Sequence, residues 1–97
     1  MTLHYKLSKL ALEDVNLIWE YSALKWNIKL ANNYYDELFV AISSICDNPE
    51  IGKSIKEVKD KHRTLTIRSH LIIYRIENNI ILIDRILNQR MDIENHL

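Results

Sequence analysis

The first half of the chain has apolar residues at steps of three and four, a spacing that predicts two amphipathic helices. We expect the first helix over residues 9–26 and the second over residues 28–46. The predicted inner stripe of the first helix is Ala11, Val15, Ile18 and Ser22, widened by Leu12 and Trp19. That of the second helix is Ala31, Tyr35, Leu38, Ile42 and Ile45, flanked by Tyr34, Phe39 and Ala41. Because their connection is very short, the two helices should form an antiparallel αα-hairpin.

Polar residues and one proline mark the ends of these helices. Ser8 suits the N-cap of the first helix, because its hydroxyl can accept a hydrogen bond from a free amide of the first turn. Asn27 is expected to end that helix in a left-handed conformation, which asparagine tolerates. Pro49 restricts Asn48 to extended geometry, so the second helix should stop just before it. Pro49 and Gly52 are the only proline and the only glycine, and together they mark a change of architecture.

After Gly52 the apolar period changes to two, which predicts strands. We expect strands over residues 62–67, 70–76 and 80–87, a short first strand over residues 5–7, and a loop with an irregular edge strand over residues 53–61. Asn78 and Asn79 suit a two-residue type I′ turn, in which both central residues have positive φ. The predicted order is β-α-α-β-β-β, an α+β fold with the αα-hairpin on one face of a small, mostly antiparallel sheet. The other face of the sheet should stay free.

Composition places the chain among small intracellular domains. Its 97 residues, 47% of them apolar, predict one domain over residues 1–97 with a core of its own. The only cysteine, Cys46, lies in the apolar pattern and predicts a buried thiol in a reducing cytoplasm. No apolar run is long enough to cross a membrane, and the first eight residues lack the layout of a signal peptide. We therefore expect a cytoplasmic protein.

The net charge is zero, but the charges are unevenly distributed. Residues 1–52 hold four Lys against seven Asp or Glu, whereas residues 53–90 hold nine Lys or Arg against four Asp or Glu. A guanidinium group binds carboxylates and phosphates through paired hydrogen bonds. We expect the arginines to lie on the free face of the sheet and meet an anionic partner, with pairing inside the fold as the alternative for each. They are Arg63, Arg68, Arg75, Arg85 and Arg90, and the helix carboxylates expected in solvent are Glu13, Asp14, Glu20, Asp36 and Glu37.

The sequence offers little for catalysis. The four histidines, His4, His62, His70 and His96, lack the spacing of metal ligands. A single glycine excludes both a glycine-rich phosphate loop and a nucleophile elbow. His70 and Tyr74 would lie on one face of a strand about 13 Å apart, too far for an acid–base pair. We predict no cofactor, no metal and no catalytic residue, with Tyr74 in the core and His70 at a turn.

Seven short motifs follow one another along the whole chain. They are Tyr5, Leu7 and Ser8; Ala11, Asp14, Ile18, Trp19 and Tyr21; Asn48 and Pro49 with Ile51, Gly52 and Lys53; Arg63 and Leu65; His70, Ile72, Tyr74 and Arg75; Arg85, Ile86 and Leu87; and Arg90, Met91 and Asp92 with His96 and Leu97. In this order and spacing the chain resembles the ParE branch of the RelE/ParE toxins of bacterial toxin–antitoxin pairs.

The resemblance implies a toxin that acts on DNA gyrase, that contacts nucleic acid only indirectly, and that a cognate antitoxin neutralises in a hetero-oligomer. The disordered C-terminal segment of the antitoxin would fold on the toxin as an amphipathic helix or strand against apolar grooves, with its acidic side chains against arginines. The open edges of a small sheet would suit the addition of a strand. The residues expected to bind antitoxin or gyrase are Arg63, Arg68, Arg75, Arg85, Arg90, Met91 and His96.

RelE-like relatives instead cut mRNA in the ribosome with a basic cluster and a C-terminal tyrosine or histidine. Residues 88–97 contain no tyrosine, and Asn88 stands where many ParE-like sequences have a histidine. Asparagine does not exchange a proton near neutral pH, so a non-catalytic gyrase inhibitor is favoured. Two alternatives stay open. One is a ribosome-dependent mRNA endonuclease that stabilises charge with Arg63, Arg68, Arg75 and Arg85, and the other is a member that only binds its antitoxin and co-represses transcription.

Overall fold

The computed structural model describes residues 2–91 and 93–97, and over these residues the chain has two long helices and five strands. Strand β1 (His4–Leu7) precedes helices α1 (Lys9–Lys25) and α2 (Ile28–Asp47). Strands β2 (Lys53–Ser54), β3 (Arg63–Ile67), β4 (His70–Glu77) and β5 (Ile80–Asn88) follow, and a 3-10 turn (Ile93–Asn95) comes last. The α+β class is confirmed, and β2 is the edge strand expected within residues 53–61. In the described part of the chain, no helix combines the length and apolarity that crossing a membrane requires.

The five strands form one mixed sheet in the order β1-β5-β4-β3-β2. β1 runs parallel to β5, and the other neighbouring strands are antiparallel. The turn between β4 and β5 contains Asn78 and Asn79, whose φ angles of 53° and 63° confirm the two positive values that a type I′ turn requires. The first strand therefore lies beside the last one, and β1 and β2 form the two edges of the sheet.

The helix ends confirm one predicted cap and correct another. Ser8 is the N-cap of α1, and its Oγ accepts a hydrogen bond from the amide of Ala11 at 2.9 Å. The prediction that Asn27 ends α1 in a left-handed turn is wrong. Its backbone is extended, with φ of −166°, and its side chain accepts a hydrogen bond from the amide of Leu30 at 2.9 Å, so it is the N-cap of α2. Asn27 begins α2 because its side-chain oxygen satisfies a first-turn amide that the helix itself leaves free.

The αα-hairpin covers one face of the sheet, as predicted. Leu12 and Tyr35, expected in the helical stripes, are instead 51% and 41% exposed. Leu12 follows the buried Ala11 and is rotated by about 100° from it, which turns its side chain away from the sheet. The cluster between the hairpin and the sheet contains Ala11, Val15, Leu38, Ile42 and Ile45 of the helices with Ile72, Tyr74, Ile81, Ile83 and Ile86 of the strands.

Tyr74 is fully buried, which confirms its predicted place in the core. Its hydroxyl donates a hydrogen bond to the carbonyl of Pro49 at 2.6 Å and accepts one from the amide of Gly52 at 2.9 Å. Both partners lie in the connection between α2 and β2. One buried side chain of the central strand thus fixes the segment where the helical half of the chain ends.

Candidate functional site

A bulge in β5 decides where the charged side chains of the sheet lie. Ile73 pairs with Arg85, but the next residue, Tyr74, pairs with Ile83. Asp84 is therefore an extra residue between two regular pairs. Bulges of this kind change the direction of a side chain and interrupt the strict alternation of faces along a strand.

Asp84 is the centre of a charged network on the side of the sheet that bears Arg75. Its carboxylate lies 2.6 Å from His62 Nε2 and 3.2 Å from Arg75 Nε. His62 Nδ1 lies 2.8 Å from the carbonyl oxygen of Asp60, so an oxygen atom lies within hydrogen-bond distance of each ring nitrogen. Arg75 also donates a hydrogen bond to Glu77. A cleft of about 710 Å³ adjoins this network, and we term it the outer-face cleft; its lining includes Lys59, Lys61, His62, Arg75, Asp84 and Arg85.

Arg85 is bound to the first helix. Its Nε and Nη2 each donate a hydrogen bond to the carboxylate of Asp14 at 2.9 Å, and its Nη1 donates one to the carbonyl of His96 at 3.2 Å. Asp14 Oδ2 also accepts a hydrogen bond from the amide of Ile86 at 2.9 Å. The hydrogen bonds to Asp14 raise the pKa of the Arg85 guanidinium above its usual value. Since the Arg85 and Asp14 side chains are only 18% and 11% exposed, Asp14 is not the solvated carboxylate that the sequence predicted.

The face of the sheet opposite the helices is partly closed, contrary to the prediction that it stays free. Ile73 lies outside the cluster between hairpin and sheet, and yet it is fully buried. The carbonyl of His96 accepts a hydrogen bond from Arg85, and that of Leu97 accepts one from Lys59 at 3.5 Å. His96, Leu97 and Lys59 of the loop before β3 therefore lie over this face, where they line one cleft with Arg75 and Arg85.

Arg63 and Arg68 lie at opposite ends of β3. Arg63 Nη1 donates a hydrogen bond to the carbonyl of Gly52 at 2.8 Å. Arg68 lies in the turn after the strand with a positive φ of 51°, and it forms a two-point ion pair with Glu37 of α2 at 2.6 and 2.8 Å. The hydrogen bond from Arg68 lowers the pKa of Glu37. The Arg68 side chain is 67% exposed, so it remains accessible to a partner.

The prediction that five arginines share one uncovered face is wrong. The structure brings Arg68 and Arg90 to the same end of the sheet, where β4 begins and β5 ends, because His70 pairs with Asn88. In the structure Arg68, Arg75 and Arg85 form ion pairs with carboxylates of the same chain. The roles of Arg63, Arg68, Arg75, Arg85, Arg90, Met91 and His96 in binding a partner stay predictions.

A second cleft, of about 450 Å³, lies between α1 and the end of the sheet that bears Arg90. Asn88 Oδ1 accepts a hydrogen bond from the amide of Arg90 at 2.9 Å, so Asn88 stabilises the turn that follows β5. We term this the hairpin-end cleft; its lining includes Tyr21, Lys25, Trp26, His70, Arg90 and Met91.

Tyr34 and His70 form a contact that the sequence analysis missed. The Tyr34 hydroxyl oxygen lies 2.5 Å from His70 Nδ1 and 3.3 Å from the carbonyl oxygen of Ile67. Burial raises the pKa of Tyr34 and lowers the pKa of His70, so both groups are neutral near pH 7. If Nδ1–H donates to Tyr34 and Tyr34 donates to Ile67, both contacts are satisfied and His70 Nε2 is an acceptor. The only signal in the sequence is a tyrosine at the margin of an apolar stripe, whose hydroxyl needs a partner.

We expect the stability of the chain to fall as the pH drops below about 6.5, the ordinary pKa of histidine. Because burial lowers the pKa of folded His70, the unfolded chain takes up this proton at a higher pH than the folded chain. The stability contributed by the neutral ring is therefore present above pH 6.5 and is lost as the pH falls through the folded pKa. Denaturant unfolding at a series of pH values measures the effect. The His70→Asn variant should show a shallower loss on the acid side, and an identical pH profile in the two proteins would contradict this account.

Comparison with known proteins identifies the family of the chain. The family model "ParE toxin of type II toxin-antitoxin system, parDE" matches residues 5–93. The chain belongs to the ParE toxin family. Toxin ParE1 of Mycobacterium tuberculosis is 34% identical to this ParE-family toxin over an alignment of 98 positions, which spans 100% of both chains. Toxin ParE1 of Caulobacter vibrioides is 32% identical over 93 residues, 96% of each chain.

Solved structures confirm the RelE/ParE-like fold of this ParE-family toxin. A chain of the chromosomal ParDE toxin–antitoxin system of P. aeruginosa superposes with a TM-score of 0.78 at 17% identity, covering 90% of this chain and 96% of the other. A chain of the toxin–antitoxin complex RelBE2 of Mycobacterium tuberculosis superposes with a TM-score of 0.65 at 13% identity, covering 91% and 99%. At these identities the likeness concerns the fold alone.

Proposed function

We propose that this ParE-family chain inhibits DNA gyrase and that a cognate antitoxin neutralises it within a hetero-oligomer. The observation that carries the proposal is the match to the ParE toxin family over residues 5–93. Inhibition by binding requires no cofactor and no catalytic residue of the toxin. It requires the toxin to meet gyrase in the cytoplasm, where that enzyme acts on DNA.

The ion pairs that two of the arginines form within the chain favour an inhibitor over an mRNA endonuclease. A nuclease needs cations directed at the developing charge of the phosphate, together with groups that give and take protons. Arg75 and Arg85 are already bound to the carboxylates of Asp84 and Asp14. Asn88, which cannot transfer a proton near neutral pH, is engaged in the turn after β5. These contacts support a non-catalytic toxin.

The open edge of β1 suits an antitoxin segment that binds as an added strand. Among the described strands β1 pairs only with β5, so the backbone groups on its outer edge are available for pairing. A row of rings runs beside this edge: the ring centroid of Tyr5 lies 6.3 Å from that of Phe39, which lies 4.8 Å from that of Tyr35. Tyr5 and Tyr35 are partly exposed. An extended apolar segment would gain backbone hydrogen bonds from the strand and burial from the rings.

A supercoiling assay with purified components tests the proposal. The toxin should abolish the supercoiling of relaxed plasmid by gyrase, and its cognate antitoxin should restore it. The same toxin preparation is added to a translation extract, in which mRNA should stay intact. Specific mRNA cleavage with normal supercoiling would establish the endonuclease instead. Harmless expression without the antitoxin, with neither effect in vitro, would favour the co-repressor.

We expect Arg90→Ala to weaken growth arrest and gyrase inhibition while the fold stays intact. Arg90 is exposed, and its guanidinium has no partner among residues 2–91 and 93–97. The expected loss is about tenfold in the concentration needed for half-inhibition, equivalent to about 1.4 kcal/mol of binding free energy. Arg68→Ala at the same end of the sheet should act in the same direction.

The matched control is Lys29→Ala, which removes an exposed cation at the start of α2. It should leave both readouts unchanged. Circular dichroism and thermal unfolding verify that each variant is folded. Full growth arrest by both arginine variants at matched expression would count against partner binding at this end of the sheet.

A further inference from the structure

The hairpin-end cleft brings together aromatic rings and cations at one end of the sheet. Tyr21 and Trp26 both line this cleft, and they are 62% and 55% exposed. The ammonium group of Lys25 lies 5.5 Å from the centroid of the Tyr21 ring and 5.1 Å from that of the Trp26 ring. These distances are within the range of cation–π contacts, so Lys25 contacts both rings.

The charge of this cleft differs from that of the other clefts. Among the described residues that line it, Lys25 and Arg90 are cations and none is a carboxylate. The outer-face cleft has Asp84 and Glu77 beside its arginines, and the cleft around Arg68 has Glu37. Within the described residues, the hairpin-end cleft thus has positive charge that no lining carboxylate neutralises, which favours an anionic ligand.

Hydrogen-bonding groups complete the lining. His70 Nε2 has no partner within residues 2–91 and 93–97, and Tyr34 holds the ring through Nδ1. Asn88 uses its Oδ1 for the amide of Arg90, which leaves its amide nitrogen as a donor. Ser69 also lines the cleft. The second ring nitrogen of His70, the amide of Asn88 and the hydroxyl of Ser69 are the kinds of groups that pair with the edge of a nucleobase.

We propose that the hairpin-end cleft binds a nucleotide unit, with the base against the rings of Trp26 and Tyr21 and the phosphate at Arg90 and Lys25. Stacking on aromatic side chains beside cations is the usual way in which proteins bind unpaired nucleotides. The volume of about 450 Å³ is within the range of small-molecule sites. The unit is either a free mononucleotide or one nucleotide of a single strand. Binding here does not depend on gyrase inhibition, so the two proposals stand or fall separately.

The fluorescence of Trp26 reports on this cleft directly. Trp19, the other tryptophan, donates its ring N–H to Asn32 at 2.9 Å in a different groove, so Trp19→Phe leaves a single reporter at the site. In this background we titrate dAMP, a short oligo(dA) strand, and a glutamate-rich peptide of equal charge, with excitation at the red edge of the tryptophan absorption. Nucleotide should quench Trp26 with saturation at or below the millimolar range.

Variants then assign the contacts. Arg90→Ala should raise the dissociation constant about tenfold and lower the salt dependence of binding by about one phosphate contact. His70→Asn should raise it as well, whereas Lys6→Ala, an exposed cation on β1, should leave it unchanged. Saturable binding of dAMP supports a mononucleotide site, and saturable binding of oligo(dA) alone supports a site for single strands. No quenching, equal binding of the acidic peptide, or equal affinities of the Arg90→Ala and Lys6→Ala variants would overturn the proposal.

Discussion

Replacing Asp14 with alanine should destabilise the chain by about 3 kcal/mol or more, because it leaves a largely buried guanidinium without its counter-charge. Arg85 would lose two hydrogen bonds of 2.9 Å, and the amide of Ile86 would lose the carboxylate that accepts its hydrogen bond. An unpaired buried amide alone costs about 1–3 kcal/mol. Urea unfolding followed by circular dichroism gives the free energy of unfolding. At such a loss we also expect little soluble toxin in cells and no growth arrest.

Three further variants separate charge loss from general damage to the fold. Asp36→Ala removes an exposed carboxylate of α2 and should change stability by no more than about 0.5 kcal/mol. Asp14→Asn keeps an oxygen acceptor for the amide of Ile86 and should cost less than alanine. Asp14→Leu combined with Arg85→Met should also cost less, because neither charge is then left alone. Equal stabilities of the Asp14→Ala and Asp36→Ala proteins would refute the structural role of this ion pair.

Replacing Gly52 with alanine should destabilise the chain by about 3 kcal/mol, the sum of overpacking and of lost hydrogen bonds. A Cβ at this position would lie 2.5 Å from the Tyr74 hydroxyl, 2.7 Å from Tyr74 Cε1 and 2.9 Å from the carbonyl oxygen of Thr64. Tyr74 is fully buried and cannot move aside without breaking its hydrogen bonds to Pro49 and Gly52. The φ of Gly52 is not positive, so lack of space is the reason for glycine here.

A double-mutant cycle with Tyr74→Phe tests this reason. Tyr74→Phe alone should cost about 2 kcal/mol, because it removes two hydrogen bonds. Added to Gly52→Ala, it removes the closest clash, so the double variant should be less destabilised than the sum of the two single changes by about 1 kcal/mol. The contacts with Tyr74 Cε1 and Thr64 remain, so the rescue is partial. A Gly52→Ala protein as stable as the parent would show that the connection between α2 and β2 can move freely.

The local sequence was sufficient to predict most of the fold. Three features depend only on residues that are close together in the chain. They are the change of apolar period at Gly52, the cap at Ser8 and the two asparagines of the last turn. For this reason they could be read without knowing the tertiary structure. Asn27 was assigned to the wrong helix because asparagine serves at both ends of helices and the connection is too short to separate them.

The candidate site was much less predictable. Asp14 and Arg85 are 71 residues apart in the sequence, and nothing in the local pattern distinguishes Asp14 from the exposed carboxylates of the same helices. The same holds for Tyr34 and His70, which are separated by 36 residues. No glycine or other turn residue near Asp84 indicates the bulge in the sequence. The bulge interrupts the alternation of side chains between the two faces of the sheet, and the prediction that the arginines share one face depended on that alternation. Each of these contacts depends on how β5 is placed against α1 and β4.

By itself, the sequence determined the helices, the strands, their order and the family, because periodicity, capping and short motifs are local and repeat along the chain. Only the tertiary structure decided which charges are available to a partner. Coulomb attraction and hydrogen bonding act at distances of a few ångströms, and the carboxylates that neutralise Arg68, Arg75 and Arg85 come to those distances only when the helices and strands pack together. Arg90 and Lys25 differ from these three arginines, because none of the residues that the structure describes in the lining of the hairpin-end cleft is a carboxylate.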